Sequence, residues 1–336
     1  MPGDLRLSVI LTAQPAAGEP DTDTFARATA IALEAEALGF DCVWTTEHHF
    51  SALHRTPSAL TLAGYLLGRT SSIHVGTAVT VLPLHSPVHV AEQVALLDVV
   101  SGGRFRFGAG RAGPSAAYAA IGRGLRYWEE GFAEALDLVL AGLNGTVSAD
   151  SELYRIPEVT VVPRPTGSIP VSVAVSSEST VDLAAVRGLA TQQFTNVDLA
   201  TRAARIRRHA ELAAPGYYDH GCWVHVQVAD TQAEAESILR THLDRTLGYL
   251  LSRRQKLIGT PTKARALSDD PLPGRFARTV ANDPVGTPER CAHRLRALAA
   301  TGCTQAICQV EMTRDLDASL TNLRRLATEV LPAALA

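Results

Sequence analysis

Short apolar runs alternate along this chain with longer stretches whose apolar positions recur every three to four residues. The runs at 5–12 (LRLSVILT), 41–46, 73–82, 104–110, 169–175, 190–194, 222–229 and 303–310 have the length and composition of buried strands. The stretches at 24–39, 57–67, 87–103, 127–140, 179–188, 198–213, 231–251, 287–300 and 315–330 read as helices. Pro87 opens one of them and glycines close it, the usual asymmetry of helix ends. Strands buried on both faces, each followed by a helix, predict a parallel sheet covered by helices. Eight such units favour a closed (β/α)8 TIM barrel over an open doubly wound sheet. Two segments break the rhythm. SELYRIPEVTVVPRP (151–165), after the fourth strand, reads as an inserted hairpin or extended excursion. Residues 252–286, rich in Arg, Pro, Gly and Asp, predict a long mobile loop that serves as a lid. With no linker in sight, the chain reads as one domain spanning 1–336.

Composition narrows the classes of function. With 46% hydrophobic residues in 336, the chain can bury a large core. A net charge of -3 and the lack of a polybasic run argue against nucleic acid and membrane surfaces as partners. Cys42, Cys222, Cys291, Cys303 and Cys308 form no C-x-x-C pair, which fits a reducing cytoplasm. The first residues lack the pattern of a signal peptide, and no apolar run is long enough for a membrane span. A cytoplasmic location is expected.

The chemistry gathers where strands end, which is where barrels of this kind place their active sites. VWTTEHHF (43–50) closes the second strand with Glu47, His48 and His49. An imidazole there can move a proton near neutral pH. The plainer reading gives one ring to the barrel rim and the other to a backbone carbonyl. Neighbouring side chains on a strand face opposite ways, so 48 and 49 do not chelate one ion, and no metal is expected. RFRFGAGRAGP (104–114) spells G-x-G-x-x-G. Arg104 and Arg106 in the strand, and Pro114 after it, argue against a dinucleotide fold. Glycines that let the backbone approach a flat ligand, with Arg111 for a phosphate, fit better. Ser176, Ser177, Ser179 and Thr180 cluster where the fifth strand enters a helix. One hydroxyl suffices for an N-cap, and four also suit an anion at the helix N-terminus.

Segments 11–15, 39–50, 75–111, 169–188, 282–291 and 300–311 together resemble the bacterial luciferase-like flavin monooxygenases, the α subunit above all. The resemblance implies a (β/α)8 barrel that takes reduced FMN (FMNH2) from a separate flavin reductase and inserts one oxygen of O2 into a substrate. It assigns His48 as the catalytic residue, with Glu47 at the cofactor and positioning one of the two rings. It places the flavin phosphate on Arg111, Ser176, Ser177 and Thr180, and a cis peptide at Ala78–Val79 beneath the flavin ring. It puts Gly110 beside that ring, where luciferase carries a reactive cysteine, and Gln14, Trp44 and Phe194 in the substrate pocket. A second phosphate-binding arginine is replaced by Glu129, with Arg126 one turn earlier as a substitute. The implied chemistry is hydroxylation, epoxidation or Baeyer–Villiger insertion on a small or carrier-bound secondary metabolite. The implied assembly is a homodimer through helices 57–67 and 87–100. An F420-dependent hydride-transfer enzyme, a non-catalytic flavin-binding paralogue or partner subunit, and a true luciferase are the alternatives.

Overall fold

A computed structural model describes residues 5–113, 115–254 and 272–335. Eight parallel strands form a closed ring: β1 (Arg6–Leu11), β2 (Cys42–Thr45), β3 (His74–Thr77), β4 (Phe105–Gly110), β5 (Val171–Val175), β6 (Ala190–Gln193), β7 (Gly221–His225) and β8 (Gln305–Gln309). Each pairs with the next in sequence, and β8 closes on β1 through Arg6↔Gln305 to Val9↔Cys308. The fold is a (β/α)8 barrel, and every strand lies within the stretch that predicted it except β7, which starts one residue earlier, at Gly221. Two of those stretches are interrupted. The run 73–82 breaks at a cis peptide between Ala78 and Val79, beyond which Thr80 and Val81 pair with Ala109 and Gly110. The run 222–229 breaks at Val226, and Gln227–Val228 pairs instead with Val285–Gly286.

Outer helices needed here are α1 (Asp21–Ala37), α2 (Ala59–Leu67), α3 (Pro87–Ser101), α4 (Gly131–Asn144), α5 (Glu178–Val186), α6 (Leu199–Leu212), α7 (Gln232–Arg254) and α8 (Leu272–Asn282). Their ends follow local chemistry. Ser58 Oγ accepts the Thr61 N–H at the start of α2. Pro87 opens α3, and Gly102 ends it in the left-handed region at φ 66°. The expected excursion is an antiparallel hairpin, Thr146–Asp150 with Arg155–Thr160.

The loop read at 252–286 is corrected in part. Residues 252–254 end α7, and 255–271 lie outside the described residues. Residues 272–286 form α8 and a short strand. Leu272, Phe276 and Val280 recur at four-residue spacing and pack on Leu239, Leu243, Val285 and Met312. That apolar stripe is hidden among Arg, Pro and Gly, which made the segment look like a loop.

At the amino-terminal ends of the strands, charge plugs the barrel. Arg106 donates to Asp41 at 2.6 Å, Gln305 donates to the same carboxylate at 2.6 Å, and Arg6 pairs with Asp219. Arg104 donates to the carbonyls of Leu67, Thr70 and Ile73. The two arginines of the fourth strand are therefore structural. All five cysteines are free and buried. Among the described residues, no helix is long and apolar enough to cross a membrane.

Candidate active site

The parallel barrel brings the residues that follow each strand to one rim. Glu47, His48 and His49 follow β2, Ala78 and Val79 follow β3, and Arg111 follows β4. Ser176 and Ser177 follow β5, and Phe194 follows β6.

Glu47 is the buried anchor of this rim. Its Oε1 accepts from His85 Nε2 at 2.7 Å, His49 Nε2 at 3.1 Å and the Val81 N–H at 3.2 Å. Its Oε2 accepts the Ala59 N–H at 3.4 Å, at the start of α2. Burial alone would push this carboxyl up, but hydrogen bonds from His49 and His85 outweigh it and pull the pKa to about 2. Of the two rings expected as its partner, Glu47 holds His49. His48 takes a different support. Its ring stacks on His54 with centroids 4.0 Å apart and planes 23° from parallel. His54 Nδ1 lies 3.1 Å from the Thr12 carbonyl. Thr12 in turn donates its N–H and hydroxyl to Glu311 Oε1 at 2.7 and 2.6 Å. Glu311 is fully buried, and desolvation pushes its carboxyl up. His48 is thus fixed over the end of β1 by a chain of contacts that reaches β8.

The glycines of the fourth strand have a packing reason. A Cβ on Gly108 would stand 1.9 Å from the Thr77 carbonyl oxygen. A Cβ on Gly110 would stand 2.5 Å from Val79 Cγ2 and 3.3 Å from Ala174 Cβ. The position that carries a reactive thiol in luciferase has no room for a side chain here, because Val79 fills it.

Arg111 leaves β4 with its guanidinium 4.8 Å from the centre of the Trp128 ring, and Tyr118 donates to its carbonyl at 2.7 Å. Among the described residues no carboxylate pairs with it. Strand β4 runs beside β5 in the register Ala109↔Val173, so Arg111 emerges next to Ser176. There the Thr180 hydroxyl accepts the N–H groups of Ser176 and Ser177 at 3.1 and 3.2 Å, and Ser177 caps α5. Arg205, on α6, donates to the Ser176 carbonyl at 2.9 Å, while its buried Nη1 has no partner among the described residues. Burial and the nearby Arg202 guanidinium push Arg205 down, so an anion at this turn would relieve it. Arg126, the substitute expected for the second arginine, is exposed and pairs with Glu130 at 2.9 Å and Glu152 at 2.5 Å.

The three pocket residues separate. Phe194 is exposed at the rim and meets Trp223 edge to face at 4.8 Å. Trp223 packs into the barrel interior, and among the described residues its indole N–H has no partner. Trp44 lies deeper, its ring against Gly76 and its Nε1 donating to Gln305 at 3.1 Å, so it forms floor. Gln14 is buried, with Oε1 accepting from Arg314 at 2.9 Å. Sequence reading passed over His54, His85, Glu311, Arg205, Trp128 and Trp223. Only Arg205 carried a signal, in the arginine-rich face of TRAARIRRHAEL.

The luciferase-like monooxygenase family profile matches residues 6–305. An alkanal monooxygenase alpha chain of Aliivibrio fischeri is 28% identical, covering 88% of this chain and 89% of that one. Among solved structures, the monooxygenase RslO1 of Streptomyces bottropensis superposes with a TM-score of 0.81 at 20% identity, over 98% of this chain and 99% of that one. The oxygenating constituent of the 3,6-diketocamphane monooxygenase of Pseudomonas putida, in complex with FMN, gives 0.79 at 17% identity, over 98% of both. A match across nearly the whole barrel makes this chain a flavin-dependent monooxygenase of the luciferase-like family.

Proposed function

We propose that the protein is the oxygenating component of a two-component system, taking FMNH2 from a separate reductase in the cytoplasm. One oxygen of O2 goes to an organic substrate and the other leaves as water. The observation that carries this reading is the anion site at the rim. Among the described residues no carboxylate pairs with Arg111, and Ser176, Ser177 and Thr180 form a capped turn beside it. Arg205 adds a second, under-compensated cation. This donor set fits a ring system that carries a phosphate.

Bound reduced flavin supplies the two electrons that activation of O2 needs. The chain's residues bind it, orient it and handle protons. Arg111 and Arg205 hold the phosphate, with the hydroxyls of Ser177 and Thr180 completing the shell. The wall of Phe194 and Trp223 keeps water from the reacting edge and offers the Trp223 N–H to a carbonyl of substrate or cofactor. His48, rigid on His54, takes and returns the proton at a ring nitrogen. An aromatic wall suits an apolar or partly aromatic substrate of secondary metabolism, free or carrier-bound.

Arg111→Ala should weaken FMNH2 binding by about 2–3 kcal/mol, the scale of a hydrogen bond to a charged group, and weaken reduced riboflavin far less. Equal losses for both flavins would make Arg111 a structural partner of Trp128. Turnover with reduced F420 but not with FMNH2 would replace the proposal with hydride transfer.

A further inference from the structure

Glu47, His49 and His85 bring a carboxylate oxygen and two imidazole nitrogens to one point, and the chemistry proposed above leaves that convergence unused. All three ligand atoms lie within 4.8 Å of one another, and among the described residues no other trio of His, Cys, Asp and Glu does so. We propose that these three side chains bind one divalent transition-metal ion of the zinc type.

The ligand set suits such an ion. Two imidazoles and one carboxylate select borderline cations over magnesium or calcium, which prefer oxygen alone. The spacing is close to what coordination needs. Ligands about 2.1 Å from one ion stand roughly 3.0 Å apart when cis in an octahedron and about 3.4 Å apart in a tetrahedron. Here Glu47 Oε1 is 2.7 Å from His85 Nε2 and 3.1 Å from His49 Nε2. Each ring nitrogen is thus within a fraction of an ångström of coordination spacing from Glu47 Oε1, the two ring nitrogens lie within 4.8 Å of each other, and His85 can adjust because its side chain is 29% exposed.

Outer support is also present. The Val81 and Ala59 N–H groups fix the Glu47 carboxylate from behind and remain bonded when an ion replaces the two imidazole protons. Access follows a gradient: the Glu47 side chain is 1% exposed, His49 13% and His85 29%, so the anchor lies at the bottom and the rings at the mouth. With three protein ligands, water or a small anion completes the shell. The ion would tie the end of β2 to the segment after the cis peptide, beside His48.

Metal-stripped protein titrated with Co2+ tests the site, and because the readout is metal binding it does not depend on the flavin chemistry. The expected result is one Co2+ per chain, a visible d–d band, and displacement by Zn2+. His85→Ala and His49→Ala should each weaken binding by at least about tenfold, and His89→Ala, on the surface of α3, should not. Circular dichroism checks folding, and His85→Gln serves if the alanine variant is unstable. Zn2+ should raise the Tm of wild type and not that of His85→Gln. No saturable binding at roughly 100 µM Co2+, or equal binding by wild type and both alanine variants, would overturn the proposal.

Discussion

The ring of His48 is held by packing. His54 lies flat against it, and the Thr12 carbonyl and Glu311 fix His54 from behind. A general base stacked this way on a second ring keeps its orientation. His48→Ala should leave FMN affinity near wild type, cut substrate oxygenation by ~10²–10⁴-fold and raise the H2O2 released per flavin. His54→Ala should lower coupling in the same direction but by less, since the ring survives and only its support is lost. Coupling assays with both variants separate the cases. Normal oxygenation by His48→Ala would remove the proton role, and normal coupling by His54→Ala would make the stack incidental.

Strands β3 and β4 shape the cofactor rim together. After Thr77, Ala78 and Val79 displace the chain so that Val79 lies against the backbone of Gly110. That contact makes glycine a requirement of the element. Gly110→Ala puts a methyl 2.5 Å from Val79 Cγ2, too close without movement of the strand. It should destabilise the protein by about 1–3 kcal/mol, as overpacking does, and Val79→Ala in the same chain should recover most of the loss. Urea unfolding of the two single variants and the double variant measures this. Additive losses would mean that the two positions do not share the space.

At the scale of the molecule, α2 and α3 leave apolar surface uncovered. Leu96 and Val100 on α3 and Tyr65 on α2 are 48%, 66% and 48% exposed, and Val99 is partly exposed beside them. The apolar positions of α3 divide between the two sides. Ala91, Val94 and Ala95 face this chain's own core, while Leu96, Val99 and Val100 lie outside. A patch of this kind on two adjacent helices suits an isologous homodimer. Sedimentation should show a dimer at micromolar concentration, shifted to monomer by Leu96→Glu with Val100→Glu. A monomeric wild type would sink the idea.

Strand and helix periods, and the residue types at strand ends, are local properties, and the sequence carries them openly. All eight strands, the hairpin after the fourth and the placing of Glu47, His48, Arg111 and the serine cluster at one rim follow from them. The family-implied cis peptide at Ala78–Val79 is present as well. Tertiary structure alone decided who meets whom. His85 joins Glu47 and His49 from another βα loop, and Glu311 reaches Thr12 because β8 closes on β1. Arg205 meets Ser176 because α6 lies beside the end of β5. Gln14 and Trp44 turned out to be tied to Arg314 and Gln305 for the same reason. These contacts join residues far apart in the chain and depend on barrel closure and register, which no local pattern records. The same holds for α8, whose apolar stripe became legible only against the surface it covers.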